Sequence, residues 1–393
     1  MILKGVCYDV GRVLIDGNWR PKFDPRIVCR ELGIIKHDLH CNTIRIQGLD
    51  IDRLMTASEN ALSQGLEVWL SPEMWDRSQD ETLEYIARAA ERAEELRQRW
   101  PGKLVFSVGS ELTLFSQGMI EGKNVFDRIS RPSFLSDIMA GKHNGPLNVY
   151  LSNLIETARK SFHGPLTYFS VPFEAVRWKP FDFVVVDHYR DARIKDSYGQ
   201  MVSKYNTFGK PVVIGEFGCC TFRGADLLGA NGFMITFGMM EGRLGPNQKF
   251  PKMFMDMAHI PPRADGHYIR DEELQARELV DQLGALDVAG VEGAFVQTFV
   301  VPNSPYHPDP RYDTDMANFS LVKSFPEAET AEEFSRQAVR GAREVGVDLD
   351  LDLDPEVLRS FSDLIGEHGV TYPDLPWEPK KSFYAVADYY AKH

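Results

Sequence analysis

Long apolar runs are missing from this sequence: no stretch approaches the roughly 18 consecutive apolar residues that a membrane-crossing helix needs. The opening MILKGVCYDVGR runs straight into a strand-like segment, with no cationic region followed by a long apolar one and a cleavage site. Cationic excess is missing as well. With 44 Lys and Arg against 57 Asp and Glu the net charge is −13, which speaks against nucleic acid or an anionic membrane as the main partner. Cysteines are few and scattered: Cys7, Cys29, Cys41, Cys219 and Cys220 are odd in number and show no C-x-x-C spacing. Neither a disulfide framework nor a structural zinc site fits them. The adjacent Cys219 and Cys220 would face opposite sides of a strand and read as small buried apolar residues. A phosphate-cradling loop is absent too, since neither G-x-G-x-x-G nor a Walker sequence occurs. A cytoplasmic protein is the expectation from these gaps.

What remains is ordinary globular material: 393 residues, 43% hydrophobic and 26% charged, which excludes disorder and fibrous repeats. Short apolar runs alternate with amphipathic stretches. Predicted strands are Lys4–Tyr8, Thr43–Gln47, Glu67–Ser71, Leu104–Val108, Leu166–Ser170, Phe183–Asp187, Val212–Gly215 and Ala294–Phe299. They are brief, rich in Val, Ile, Phe and Tyr, and several end in polar residues, as strands buried on both faces of a parallel sheet do. Predicted helices are Asp50–Gln64, Gln79–Arg99, Asn148–Arg159, Ile194–Tyr205, Asp271–Leu286 and Lys380–Lys392. Eight strands alternating with helices are the arithmetic of a single (β/α)8 TIM barrel spanning 1–393. A doubly wound open sheet is the alternative, and it would need the missing phosphate loop.

Three segments exceed simple connections and are expected to be lid-like insertions at one end of the barrel: 116–145, 217–269 and 300–379. The second carries GANGFMITFGMM, a composition suited to packing rather than to free solvent. The third begins with the turn-rich, aromatic Pro302–Asp313, expected to join the second over the site. It also contains two predicted helices, Ala331–Val345 and Asp354–His368. The acidic run DLDLDLD between them lacks the Gly and Glu of a calcium loop and reads as a solvated helix lead-in.

Chemistry in such barrels collects at the C-terminal ends of the strands. Two lone acids stand there. Glu111 follows the fourth strand in LVFSVGSEL and Glu216 follows the seventh in KPVVIGEFG, three strands apart round the ring and hence facing each other across the mouth. A purely structural barrel has little use for a buried charge at either place.

The layout resembles the clan A glycoside hydrolases, in which the acid/base glutamate ends strand four and the nucleophile glutamate ends strand seven. Asn42-Thr43-Ile44-Arg45 looks like the clan's second strand, whose arginine supports the nucleophile. Asp187-His188-Tyr189 resembles its sixth-strand end, where His and Tyr line the sugar subsite and Tyr bonds the nucleophile. KPVVIGEFG is close to its seventh-strand pattern, and WEPKKSFY (Trp377 to Tyr384) to the lead into its last helix. Two positions depart from it. Ser110 stands where the clan has an Asn that contacts the sugar 2-hydroxyl, and Gln297-Thr298-Phe299 stands where the eighth strand usually ends in a platform Trp. The resemblance implies a retaining glycosidase without cofactor or metal, with Glu216 as nucleophile, Glu111 as acid/base and a carbohydrate as substrate. It implies Arg45, Ser110, His188, Tyr189, Gln297 and Phe299 around that substrate. The departures leave a second reading open, a catalytically silent barrel that binds a carbohydrate or a protein partner.

The chemistry suits the residues on its own terms. One carboxyl protonates the leaving oxygen while the other attacks or stabilises the anomeric carbon. Two glutamates in one low-dielectric pocket repel each other's charge, which raises one pKa into the acid role. Weaker candidates are Asp9, for a distal hydroxyl, and Trp75 and Trp178, for stacking on sugar faces. Glu73 and Glu174 lie beside those tryptophans. His37 and His40 read as surface or helix-end histidines, and His307 as a weak catalytic candidate.

Overall fold

A computed structural model describes residues 1–14, 17–239, 267–327 and 362–393. Eight strands form a closed barrel: β1 (Leu3–Asp9), β2 (Thr43–Gly48), β3 (Glu67–Pro72), β4 (Leu104–Ser110), β5 (Leu166–Ser170), β6 (Val184–Asp187), β7 (Val212–Phe217) and β8 (Gly293–Val296). All neighbours are parallel, and β1 pairs with β2 (Gly5 opposite Thr43) and with β8 (Leu3 opposite Gly293), so the sheet has no edge. Around it lie α1 (Pro25–His37), α2 (Ile51–Ser63), α3 (Gln79–Arg99), α4 (Asn144–Arg159), α5 (Tyr198–Ser203), α6 (Glu272–Ala289) and α7 (Lys381–Lys392). The fold is a (β/α)8 barrel. Only the β5–β6 connection, residues 171–183, passes without a helix.

Helix starts follow local chemistry. The Asp24 side chain caps α1 by accepting from the Arg26 amide, with Pro25 in the first turn. Ser78 and Glu81 form a reciprocal capping box at α3. Between helices and sheet lies an apolar layer that includes Val6, Ile44, Val68, Phe106, Val184 and Ile214. The barrel interior holds a second cluster of Cys7, Trp69, Val105, Phe169, Val185, Val213 and Phe295. The Trp69 ring centroid lies 5.4 Å from that of Phe295 and 6.4 Å from that of Phe169. Strand β2 contributes Arg45 instead of an apolar side chain, its guanidinium 3.5 Å above the Phe169 ring centre. The interior therefore changes from an aromatic plug to a charged layer at that height.

Two strands carry an extra residue just below the mouth. On β4, Ser107 pairs with Thr167 and Ser110 with Phe169, so Val108 and Gly109 stand against one residue of β5. On β7, Ile214 pairs with Val186 and Glu216 with Asp187, leaving Gly215 unpaired. Each bulge reverses the inside–outside alternation of its strand. A Cβ at Gly215 would run into the Asp187 carboxylate and the Phe169 ring, so glycine is required there.

Phe299 corrects the sequence reading. Strand β8 ends at Val296, and Phe299 is fully buried with its ring against Tyr8, Trp377 and Phe383. Apolar burial on the helix-facing side wins over a place at the site. Phe299→Ala is expected to cost about 3–5 kcal/mol, read in denaturant unfolding.

The connections at the mouth are tied down by buried ions. After β4, short helices Val125–Ile129 and Phe134–Met139 precede α4, and buried Arg128 bonds Asp76 and the Leu114 carbonyl, both at 2.6 Å. Arg270 bonds Asp313 (2.8 Å) and Asp315 (2.7 Å), and buried Lys380 reaches Asp315 at 2.8 Å. Residues 240–266 of the expected lid, the predicted helix Ala331–Val345 and most of Asp354–His368 lie outside the described residues. No described helix is long and apolar enough to cross a membrane.

Candidate active site

Both bulged strands deliver a glutamate to the mouth. Glu216 is nearly buried. Its Oε1 accepts from Arg45 Nη1 (3.0 Å) and Gln47 Nε2 (2.8 Å), and its Oε2 from the Tyr189 hydroxyl (2.9 Å). Arg12 Nη1 lies 3.6 Å from Oε1. Two cations and two neutral donors thus converge on one carboxylate and fix its position.

Arg45 is the hub of the charged layer. It is fully buried and also bonds Glu73 (3.1 Å), Ser110 Oγ (2.9 Å), the Gly215 carbonyl (3.3 Å) and Asp187 (3.4 Å). Glu73 takes a further bond from Ser71 Oγ, and burial raises its pKa against the pull of Arg12 and Arg45. Replacing Arg45 with methionine strips three buried carboxylates of their common cation. A loss of about 3–5 kcal/mol is expected at neutral pH, read by urea unfolding.

Glu111 sits in a different setting. Its backbone is left-handed (φ 48°, ψ 42°), costing on the order of 1–3 kcal/mol for a residue with a Cβ. The side chain is partly exposed, and among the described residues no protein group donates to its carboxyl. Desolvation raises its pKa well above the usual carboxylate range; Asp187, Glu216 and Glu174 add to the rise, and Arg45 opposes it. Carboxylate oxygens of Glu111, Asp187 and Glu216 all lie within 4.8 Å of one another. Among the described residues these three are the group that could hold a cation, and Arg45 already bonds two of them. Burial raises the Asp187 pKa well above its ordinary value, with Glu216 and Glu73 adding and Arg45 opposing. The site thus pairs a carboxylate anchored by four donors with an unanchored one whose pKa is raised.

Strand alternation explains the residues next to these. Asp187 points inward to Arg45, so His188 points outward, buried edge-on against Tyr198 and Tyr205. Burial lowers its pKa to about 4, which leaves it neutral. The sequence reading put His188 at the subsite, and the structure puts Asp187 on that side instead. Asp9 is spent on its own loop: it accepts from the Gly11 and Arg12 amides (2.7 and 2.8 Å) and from Arg12 Nε (2.6 Å). It thereby aims Arg12 between Trp19 and Trp75, with guanidinium-to-ring distances of 4.2 and 5.4 Å. Trp75 stacks on Phe115 (4.2 Å, 15°), which covers one of its faces. Ser110 gives its oxygen to Arg45. Gln297 is buried at the end of β8, and its side-chain oxygen has no partner.

Several functional neighbours escaped the sequence reading. Gln47 is two residues from Arg45 on one strand, so period-two alternation alone would have found it. Asp187 was legible by the same rule. Arg12 and Trp19 arrive on a loop, where no periodicity marks them. Of the weak candidates, Trp178 is buried against Phe181 and Phe208, His37 and His40 are exposed, and the His307 ring packs on Tyr312. Among the described residues, buried polar atoms at the site without a hydrogen-bond partner include Arg12 Nη2, Arg45 Nε, Gln47 Oε1 and Glu73 Oε2, the last ion-paired with Arg12 at 3.7 Å.

No protein-family model and no curated protein matches the chain. Solved structures do. A GH113 β-1,4-mannanase is 15% identical over 81% of this chain and 94% of its own, with a TM-score of 0.49. A GH5-4 broad-specificity endoglucanase from Clostridium longisporum is 11% identical over 87% and 97%, with a TM-score of 0.45. A Bacteroides uniformis β-glucuronidase is 12% identical over 86% of this chain, which spans only 35% of that longer protein, with a TM-score of 0.48. These neighbours are glycoside hydrolases. Identities and scores this low carry no conclusion about activity, which has to come from the rim itself.

Proposed function

We propose that the protein is a retaining glycoside hydrolase, with Glu216 as nucleophile and Glu111 as general acid and base. One observation carries the reading: the two carboxylates approach within 4.8 Å. That is close to the roughly 5–5.5 Å of retaining enzymes and too short for the roughly 6.5–9.5 Å that inverting enzymes need to admit a water. Glu216 attacks the anomeric carbon while Glu111 gives its proton to the departing glycosidic oxygen, so a glycosyl ester forms and the alcohol leaves. Glu111, now a carboxylate, takes a proton from water as that water attacks the same carbon. The sugar is released with net retention, and both glutamates return to their starting states. The two carboxyls and water balance the reaction, so it calls for no cofactor.

The neighbours serve these roles. Arg45, Gln47 and Tyr189 hold the attacking carboxylate, and burial together with the neighbouring acids raises the pKa of Glu111 toward the acid role. In this reading the chain is a single barrel domain acting on a short glycoside or a chain end. The free cysteines suit a reducing, cytoplasmic setting. One observation favours the silent-barrel alternative: Ser110 spends its oxygen on Arg45, leaving the clan's 2-hydroxyl contact without an evident replacement. A panel of nitrophenyl glycosides, assayed with wild type and Glu216→Gln side by side, separates the two. Turnover lost in the variant supports the enzyme; turnover that persists in Glu216→Gln sinks the assignment.

A further inference from the structure

The turn that carries Glu111 is held from behind by two side chains. The four-residue helix Leu112–Phe115 begins directly after Glu111, and the Glu111 side chain does not cap it. Its first amides are taken instead by β5 and the loop that follows. Leu112 N–H donates to the Tyr168 hydroxyl (2.8 Å), and Thr113 N–H to Glu174 Oε1 (3.0 Å). The Tyr168 hydroxyl donates in turn to the Glu174 carboxylate, lying 3.0 and 2.8 Å from its two oxygens, and the Val171 amide closes the set on Oε2 (3.2 Å). Glu111 N–H itself bonds the Phe169 carbonyl (2.8 Å). Tyr168 is fully buried and Glu174 nearly so. Among the described residues this buried carboxylate has no cationic partner, only N–H and O–H donors, which is costly unless it serves the turn.

We infer that Tyr168 and Glu174 are positioning residues for proton delivery, a clamp that fixes the left-handed turn and so aims the Glu111 carboxyl at the leaving oxygen. The inference rests on the acid/base reading of Glu111. Two observations point to it independently. Left-handed backbone at a residue with a Cβ persists only where its surroundings over-determine it, and these two side chains supply that determination. The clamp is also a charge beside the acid. The Glu111 carboxyl has Asp187 from β6 and Glu216 from β7 within 4.8 Å, and it also interacts electrostatically with Arg45 from β2, with Tyr168 and Glu174 from β5 and its loop, and with Tyr189. Of these, Glu174 is the carboxylate that takes no part in the interior Arg45 network, so its contribution can be removed without disturbing Glu216.

The test uses Glu174→Gln and Tyr168→Phe in the full chain, with Glu111→Ala alongside, on phenyl and 2,4-dinitrophenyl glycosides of one sugar. Both clamp variants are expected to lose about tenfold or more in kcat/KM on phenyl glycosides and less than about threefold on dinitrophenyl ones. Equal losses on both leaving groups, with Glu111→Ala still discriminating, would overturn the clamp and leave the acid/base reading intact. If Glu111→Ala does not discriminate, the acid/base reading falls instead. A second arm needs no substrate. Carboxyl infrared titration, with Glu111→Gln as blank, is expected to show the Glu111 proton lost at lower pH in Glu174→Gln than in wild type. An unmoved titration overturns the charge role. Faster amide exchange at Leu112 and Thr113 is expected in both variants, and unchanged exchange overturns the positioning role.

Discussion

Glu216→Ala is expected to lose on the order of 10⁴-fold or more in kcat, because no glycosyl ester can form without its carboxylate. The cavity left behind lies beside Arg45, Gln47 and Tyr189, whose donors then face an empty space. Azide or formate should enter it, attack from the nucleophile's side and restore a product of inverted configuration. Chiral analysis of the glycosyl azide checks this. A retained product from the rescued variant would remove Glu216 from the nucleophile's role.

Glu111→Ala is expected to behave quite differently. Substrates with poor leaving groups should lose about 10²–10⁴-fold, and dinitrophenyl glycosides, whose leaving group needs little protonation, far less. Azide should now give a glycosyl azide of retained configuration, since Glu216 still forms the ester and the anion replaces activated water. The pH dependence has a definite sign. Only protonated Glu111 can act in the first step, and desolvation with Asp187 and Glu216 raises its pKa. Glycosylation of poor leaving groups should therefore hold below that raised pKa and decline as pH climbs through it. The alanine variant should lack that limb. Equal losses on every leaving group would show that Glu111 is structural.

The barrel was legible because its strands are buried on both faces, which writes them as brief Val-, Ile- and Phe-rich runs. Leu166–Ser170 was bounded to the residue. Helix α1 was missed, though Asp24 followed by Pro25 is a start signal. Its interior, VCRELGIIKH, mixes Cys, Gly and charge and weakens the helical stripe. Both glutamates stood out as lone acids at strand ends, and the glycines before them, Gly109 and Gly215, were the trace of the bulges that aim them. What failed was side-chain direction. His188 looked like a site residue because Asp187-His188-Tyr189 resembles the clan's sixth-strand end, yet alternation sends it outward once Asp187 points in. Phe299 looked like a site residue because the predicted eighth strand runs to Phe299, where the resemblance has its platform residue, whereas the strand stops at Val296. Arg12 could not be found from sequence, since only the three-dimensional turn of its loop, held by Asp9, carries it to Glu216.

The most direct measurement of the central claim is where a glycosyl group becomes attached. The protein is incubated with 2-deoxy-2-fluoro glycosides bearing dinitrophenyl leaving groups, for the sugar that the nitrophenyl panel selects. The fluorine slows both formation and release of the ester, and the good leaving group restores formation alone, so the intermediate accumulates. Intact mass followed by peptide mapping should place one fluoroglycosyl group on Glu216, and none in Glu216→Gln. A label on any other residue, or an inverted first-formed anomer during wild-type turnover, would contradict the two-glutamate retaining mechanism.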